Sequence, residues 1–146
     1  MLSDFQVISR LFLSVVLSGL IGLERQMHRR SAGLRTHILV CLGSCLIMLT
    51  SLHIFDIYSS KVLLDPSRIA AGVITGIGFL GAGTIMRERE GVKGLTTAAS
   101  LWVVAGIGLA VGCGFYTASY FTTALALISL IFLRRAENMI FGKEDR

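Results

Sequence analysis

Residues 94–133 read GLTTAASLWVVAGIGLAVGCGFYTASYFTTALALISLIFL, which is 40 consecutive residues without an Asp, Glu, Lys or Arg. A helix needs about 20 residues to cross the hydrocarbon core of a bilayer, so this stretch is long enough for two crossings. Gly112-Cys113-Gly114 lies near its middle, where two glycines favour a tight turn. We therefore predict one membrane span at residues 97–111 and another at residues 115–133.

Three more apolar blocks precede this stretch, at residues 5–23, 36–55 and 69–86. Charged residues make up 16% of the chain and hydrophobic residues 53%, whereas a soluble domain is about one quarter charged. The sequence therefore predicts an all-α integral membrane protein, a bundle of five transmembrane helices. We expect the bundle to comprise residues 1–133 and residues 134–146 to form a short cytoplasmic tail.

The basic residues predict how the chain is oriented. The segments after spans one, three and five hold eleven of them: Arg25, Arg29, Arg30, Arg35, Arg87, Arg89, Lys93, Arg134, Arg135, Lys143 and Arg146. The segment between spans two and three holds Lys61 and Arg68. Because Lys and Arg concentrate in cytoplasmic loops, we expect the N-terminus outside and the C-terminus in the cytoplasm.

Composition and motifs also exclude some functional classes. The net charge is +5, but no stacking aromatic residues accompany the basic clusters, so nucleic-acid binding is not expected. No serine has a histidine and an acidic residue on the same side of the membrane with which it could form a catalytic triad. The sequence also has no pair of catalytic carboxylates and no phosphate-binding GK[ST] loop. We therefore expect neither an enzyme nor a bound cofactor.

Small residues recur at the spacing that lets membrane helices pack closely. Gly72 and Gly76 form a GxxxG pair in the third block, and Gly108 and Gly112 form another in the fourth. Three further glycines extend the small surface of the third block: Gly78, Gly81 and Gly83. These faces pack either within one chain or against a partner, which would be a second copy in a homodimer or another membrane protein.

Charged residues near the first span are candidates for a functional cluster, because ionisable groups in a membrane are costly. Arg10 is expected to reach outward toward Asp4. Glu24 and Arg25 form either an interfacial ion pair or a buried site in which Glu24 pairs with Arg35.

Two hydroxyl side chains at the start of the fourth span, Thr96 and Thr97, belong to the same candidate cluster. They either bond back to their own helix or line a polar cleft against the glycine-rich third span.

Metal binding has little support in the sequence. His37, Cys41 and Cys45 recur every four residues, but each such step rotates the position by about 40° on a helix. Magnesium prefers oxygen ligands, and the spans offer only Glu24 at their edge. We predict no metal site, with Glu24 as the one candidate ligand if a cation is transported.

Four ordered stretches resemble the MgtC/SapB family of bacterial inner-membrane proteins. The matching stretches are GLERQ at residues 22–26, AGLRT at 32–36, GIGFLGAG at 76–83 and VKGLTTAASLWVVAGIG at 92–108. Together with the five spans, the resemblance covers nearly the whole chain to Leu133.

This resemblance implies a protein of the bacterial inner membrane that is linked to adaptation to low magnesium and, in pathogens, to survival within host cells. It also implies a regulator that binds other membrane proteins, including the F-type ATP synthase. Longer members carry a cytoplasmic C-terminal domain, and we expect this chain to be a short form without it. Family members often have Asn where this chain has Thr96. The alternative is a transporter or channel for magnesium or another cation.

Overall fold

The computed structural model of the chain describes residues 2–59, 64–88, 91–133, 135 and 139. Within this part of the chain the regular secondary structure is helical apart from one β-hairpin. The elements in chain order are α1 (Asp4–Met27), α2 (Leu34–Tyr58), α3 (Ser67–Ala82), β1 (Met86–Glu88), β2 (Gly91–Lys93), α4 (Leu95–Cys113) and α5 (Tyr116–Ile128), which a π-helical segment (Ser129–Leu133) continues.

Four of the predicted spans coincide with helices that are long and apolar enough to cross a membrane: α1, α2, α4 and α5 with its π-helical end. The predicted third span, residues 69–86, is wrong at its C-terminal end because α3 stops at Ala82. The chain then turns into the hairpin, in which Met86 pairs with Lys93 and the Lys93 ammonium lies 2.6 Å from Glu88. The 16 residues of α3 extend about 24 Å, somewhat less than a hydrocarbon core of about 30 Å.

The glycine turn between the fourth and fifth spans is confirmed. α4 ends at Cys113, and Gly114 has a φ of +87°, in the left-handed region that glycine adopts without strain. The backbone N–H of Phe115 donates to the Ala110 carbonyl at 2.8 Å, which closes the end of the helix.

Local capping fixes where the first helices begin. Ser3 and Gln6 form a reciprocal capping box at the start of α1. Gly33, at the start of α2, has no side chain to cap the helix, and Gln26 Oε1 accepts from the Leu34 N–H at 3.4 Å instead. A Cβ at Gly33 would collide with that amide, so the GLERQ and AGLRT stretches are coupled through this contact.

The start of α3 is stabilised by the residue that precedes Pro66. The Asp65 carboxylate accepts from the Ser67 side chain and from its backbone N–H, the latter at 2.9 Å. These two hydrogen bonds to the charged form hold the pKa of Asp65 below its usual value.

The interior of the bundle lies between α1, α2 and α4. Its fully or nearly fully buried side chains come from these three helices: Leu17, Ile21, Cys41, Cys45, Leu49, Val104, Ile107 and Val111. Large apolar side chains also point outward, among them Phe12, Leu39 and Phe121, each about two thirds exposed. A soluble protein seldom exposes an apolar surface of this extent, whereas lipid tails would cover it.

Arg10 does not reach toward Asp4, so that prediction is wrong. The side chain is buried; its Nη1 donates to the Gly112 carbonyl at 2.7 Å and its Nε donates to the Tyr116 hydroxyl at 3.0 Å. The last carbonyls of a helix lack partners within the helix, and a guanidinium with five N–H donors can satisfy them. Through these two hydrogen bonds, Arg10 holds α1 against the turn between α4 and α5.

These contacts define two ends of the bundle. α1 runs from Arg10 at one end to Arg25 at the other, and α2 returns from the Arg25 end. The Ser51 hydroxyl, toward the far end of α2, donates to the Pro66 carbonyl just before α3. Thr84, just after α3, lines a cleft with Arg25. α3 therefore runs from the Arg10 end to the Arg25 end, where α4 begins.

Candidate functional site at the Arg25 end of the bundle

Two charged side chains, Glu24 and Arg25, are buried in the last two turns of α1. They are 6% and 4% exposed, and Arg25 Nη1 lies 3.7 Å from Glu24 Oε2. Arg25 Nη2 donates to the Thr97 hydroxyl in the first turn of α4 at 3.2 Å. Because an isolated buried charge is costly, the guanidinium and its partners hold the end of α1 against the start of α4.

The buried His37 extends this polar network to α2. Its Nδ1 lies 2.8 Å from the Gly33 carbonyl, and its Nε2 lies 3.0 Å from the Ser100 hydroxyl oxygen. A carbonyl can only accept, so Nδ1 carries a proton. Ser100 Oγ also lies 2.8 Å from the Thr97 carbonyl. The polar side chains of α1, α2 and α4 therefore meet in one contiguous cluster.

The Glu24 carboxylate is the least satisfied member of the cluster. His28 Nδ1 lies 2.8 Å from Glu24 Oε1 and also 2.8 Å from the Glu24 backbone carbonyl. The hydrogen-bond geometry favours the carbonyl, and neither carboxylate oxygen accepts a hydrogen bond from the residues that the structure describes. A buried carboxylate in this state is held by the charge of the neighbouring Arg25 guanidinium more than by hydrogen bonding.

The structure brings together only part of the predicted polar cluster. Glu24, Arg25 and Thr97 lie in contact, as described above. Arg35 is exposed, so the predicted pairing of Glu24 with Arg35 is not formed; Arg25 and His28 are the basic neighbours of the carboxylate. Thr96 is exposed, one position away from the buried Thr97. The role of Ser100 depends on which helices meet, so no sequence pattern indicates it. His28 follows Glu24 by four residues, and this helical spacing is a signal that could have indicated their contact.

The cysteines and His37 do not assemble into a metal site. Cys41 and Cys45 are buried between helices, and Cys113 is exposed. Within the described ranges, no three His, Cys, Asp or Glu side chains lie close enough together to hold a metal ion.

A cleft of about 490 Å³ opens beside the cluster, between the end of α1, the hairpin and the start of α4. We call it the basic cleft. Its basic side chains are Arg25, Arg29, Arg30 and Lys93, and its hydroxyl side chains are Ser31, Thr84, Thr96 and Thr97. Thr96 and Thr97 therefore line a polar cleft, but no residue of α3 is among its described lining residues, so it is not the predicted cleft against the third span.

The glycine pair of α4 packs inside the bundle. A Cβ at Gly108 would collide with the Cys41 carbonyl and lie 2.8 Å from Ser44 Cβ. A Cβ at Gly112 would lie 2.8 Å from the Cys45 carbonyl. Both glycines are needed for the close approach of the α2 and α4 backbones.

The glycine pair of α3 faces away from the bundle. Gly72, Gly76 and Gly78 are exposed, and a Cβ added at any of them would meet no described atom within 4 Å. Gly81 packs on α4, since its Cβ would lie 3.6 Å from Ala98 Cβ. Gly83 lies just beyond the helix, against the Leu80 and Phe79 carbonyls. The two GxxxG pairs therefore have opposite surroundings.

Comparison with known proteins identifies related sequences. The profile described as "MgtC family" matches residues 11–139. The "Putative magnesium transporter YhiD" of Escherichia coli (strain K12) is 47% identical over 127 residues, which cover 86% of this chain and 59% of that protein. "Protein MgtC" of Salmonella typhimurium (strain LT2) is 43% identical over 136 residues, covering 93% and 56%. A Haemophilus influenzae protein is 36% identical over 144 residues, covering 96% and 60%.

The chain thus spans less than two thirds of the length of these relatives. No solved structure matches it.

Proposed function

The chain belongs to the MgtC family, and we propose on that basis that it is a non-enzymatic regulator in the bacterial inner membrane. It takes part in adaptation to low magnesium, and in pathogens to survival within host cells, by binding other membrane proteins. The F-type ATP synthase is the expected larger complex, and the chain itself forms a homodimer.

The proposed topology has five crossings, with the N-terminus outside and the C-terminus cytoplasmic. Two features support it. α3 joins the Arg10 end of α2 to the Arg25 end of α4, so it has to traverse the bundle even though it is short. Arg25, Arg29, Arg30 and Lys93 line one cleft at the Arg25 end, which is where the positive-inside rule puts the cytoplasm. A bilayer can thin locally around a short helix at a cost of fractions of a kcal/mol per Å.

The observation that carries the regulatory proposal is the free glycine face of α3. Lipid tails are as apolar as leucine, so a membrane helix gains little from exposing glycines to them, while close packing against another helix uses the missing side chains. Gly72 and Gly76 meet no other part of the described chain, whereas Gly108 and Gly112 are fully used within it. The α3 face is therefore the surface that we assign to the partner helix.

Replacing both Gly72 and Gly76 with leucine is expected to abolish recovery of the partner. The added side chains would hold a partner helix away from the α3 backbone, but they enter open space in this chain. The measurement is crosslinking in native membranes followed by affinity recovery, with immunodetection of the ATP synthase and of a differently tagged second copy. Membrane insertion and the melting temperature should not change.

Gly106→Leu is the matched control, because Gly106 also lies on a helix face with no described atom within 4 Å. It should leave partner recovery intact. Equal recovery from the Gly72→Leu/Gly76→Leu variant and the parent would contradict the α3 docking surface. Loss of the second copy alone would restrict the surface to the homodimer.

The second candidate function is cation transport with Glu24 as ligand. It is favoured by the two Glu24 oxygens that accept no hydrogen bond from described residues, and the name of the YhiD relative refers to magnesium transport. Against it stands the Arg25 guanidinium 3.7 Å from the same carboxylate, since it would repel a cation that bound there.

We expect purified protein in liposomes to give no magnesium flux above that of empty liposomes. A magnesium-sensitive dye enclosed in the vesicles measures this directly. Transport would be supported by a flux that Glu24→Gln loses and Glu88→Gln keeps, since Glu88 is an exposed hairpin residue. That pattern would contradict a purely regulatory role.

A further inference from the structure

The basic cleft is a site that the regulatory proposal leaves unused. Four basic residues line a space of about 490 Å³, and no carboxylate is among the described residues that line it. Glu88, which pairs with Lys93, and Glu24, which pairs with Arg25, are not among the residues that line the cleft. Ligand sites in proteins commonly have volumes of about 300–1,000 Å³, so the cleft is large enough for a small anionic group.

The backbone at Arg29 shows that this arrangement has a conformational cost. The N–H of Arg30 donates to the Arg25 carbonyl at 3.1 Å, and the N–H of Arg29 donates to the Gln26 carbonyl at 3.0 Å. These two bonds form a Schellman motif at the end of α1, in which the residue at the position of Arg29 has to be left-handed. Arg29 has a φ of +51°, whereas glycine is the usual residue there.

An arginine at a position that favours glycine indicates a function for its side chain that compensates for the backbone strain, because strained residues cluster at functional sites. Arg29 is also one of the side chains that line the basic cleft. The strain and the cleft are separate observations, and both point to a function for the Arg29 side chain beyond ending the helix.

We propose that the basic cleft binds a phosphate-bearing anion, held by the guanidinium groups of Arg29 and Arg30 and by Lys93. The buried Arg25, which pairs with Glu24, also lines the cleft. The planar guanidinium group of arginine matches the geometry of a phosphate group, and it can donate two parallel hydrogen bonds to two of the phosphate oxygens. The cleft also includes the start of α4, where Gly94 provides no side-chain cap and the first backbone N–H groups have no acceptor within the helix. Hydroxyl groups such as that of Thr96 add further donors.

The same phosphate chemistry is available from two sources at this place. In the proposed topology the cleft opens at the cytoplasmic surface of the membrane, where it can take the headgroup of an anionic phospholipid. Free inorganic phosphate in the cytoplasm is the other source. The cytoplasmic position of the cleft rests on the proposed topology. The cleft does not involve the α3 face, so failure of the α3 docking test would leave anion binding untouched.

The test uses the full chain with two cleft charges removed, Arg29→Gly/Arg30→Gln. The control removes two charges outside the cleft, Arg35→Gln/Arg68→Gln, both at exposed positions. In phosphatidylcholine nanodiscs, binding of inorganic phosphate is measured by calorimetry. In a second arm, native mass spectrometry measures how much phosphatidylglycerol or cardiolipin the chain retains in competition with phosphatidylcholine.

The cleft variant is expected to bind roughly tenfold more weakly than the control in at least one arm. A difference in the lipid arm identifies a headgroup as the source, and a difference in the phosphate arm identifies the free anion. Equal binding by the cleft variant and the control in both arms, or no binding by the parent protein, would overturn the proposal.

The single variant Arg29→Gly separates the binding role from a structural one. Glycine adopts the left-handed conformation without strain, so the melting temperature of the ligand-free protein should stay equal or rise. Anion binding should weaken in the same variant. A lower melting temperature together with unchanged binding would show that Arg29 serves the fold alone.

Discussion

Gly108→Leu is expected to prevent accumulation of the folded protein. Even a single Cβ at this position would collide with the Cys41 carbonyl of α2, and backbone cannot rotate away as a flexible side chain can. The two helices would have to separate, which would open the core that Val104, Ile107 and Val111 share with α2. We expect a loss of about 3 kcal/mol or more, at the upper end of what single substitutions cost.

The measurement is the yield of monodisperse protein after detergent extraction, together with its melting temperature. Gly106→Leu is a demanding control, because it places the same side chain two residues away on the same helix, in open space. It should give parental yield and stability. Parental behaviour of Gly108→Leu would mean that the backbones of α2 and α4 are further apart than the contact of Gly108 with Cys41 requires.

The contrast between these glycines marks a limit of what the sequence can predict. Gly72–Gly76 and Gly108–Gly112 have the same spacing in equally apolar surroundings, so their pattern predicts close packing at both. Which pair faces a neighbouring helix depends on how α3 and α4 are rotated in the bundle. That rotation is set by contacts between distant residues, such as those of Gly108 with Cys41 and Gly81 with Ala98.

Local features were predictable where local chemistry decides them. The turn at Gly114 follows from two glycines in an apolar run, and the four long helices follow from their uninterrupted hydrophobicity. The sequence does not predict the end of α3, because the apolar run continues through Ile85 and Met86 after the helix has stopped at Ala82. Hairpin pairing, which involves residues up to Lys93, competes there with helix propagation.

The sequence predicts which residues belong to the functional cluster, but it does not predict which residues they contact. The cost of charge in a membrane singles out Glu24 and Arg25, and both are buried. Arg25 donates to Thr97 of α4, 72 positions further along the chain, and this partner cannot be read from the sequence around Arg25. Arg10 was placed wrongly for the same reason, since its acceptor is the carbonyl of Gly112.

Arg25→Met is expected to destabilise the protein by about 3–5 kcal/mol, the usual cost of removing one partner from a buried ion pair. The substitution would leave the Glu24 carboxylate buried without the neighbouring guanidinium, and it would remove the donor to Thr97. Melting temperature in detergent measures the effect. Arg35→Met is the matched control, and because Arg35 is exposed its effect should stay within about 0.5 kcal/mol.

Adding Glu24→Gln to Arg25→Met should recover part of the lost stability, because the uncompensated charge is then gone. Coupling energies between residues in contact are typically about 0.5–3 kcal/mol, and we expect a value within that range. Simple addition of the two single effects would show that Arg25 does not stabilise the carboxylate. Coupling would bear on function as well, because a Glu24 carboxylate whose charge is neutralised by Arg25 would bind a transported cation only weakly. A coupling energy in this range would therefore weigh against cation transport and support a structural role for the Glu24–Arg25 pair in a regulatory bundle.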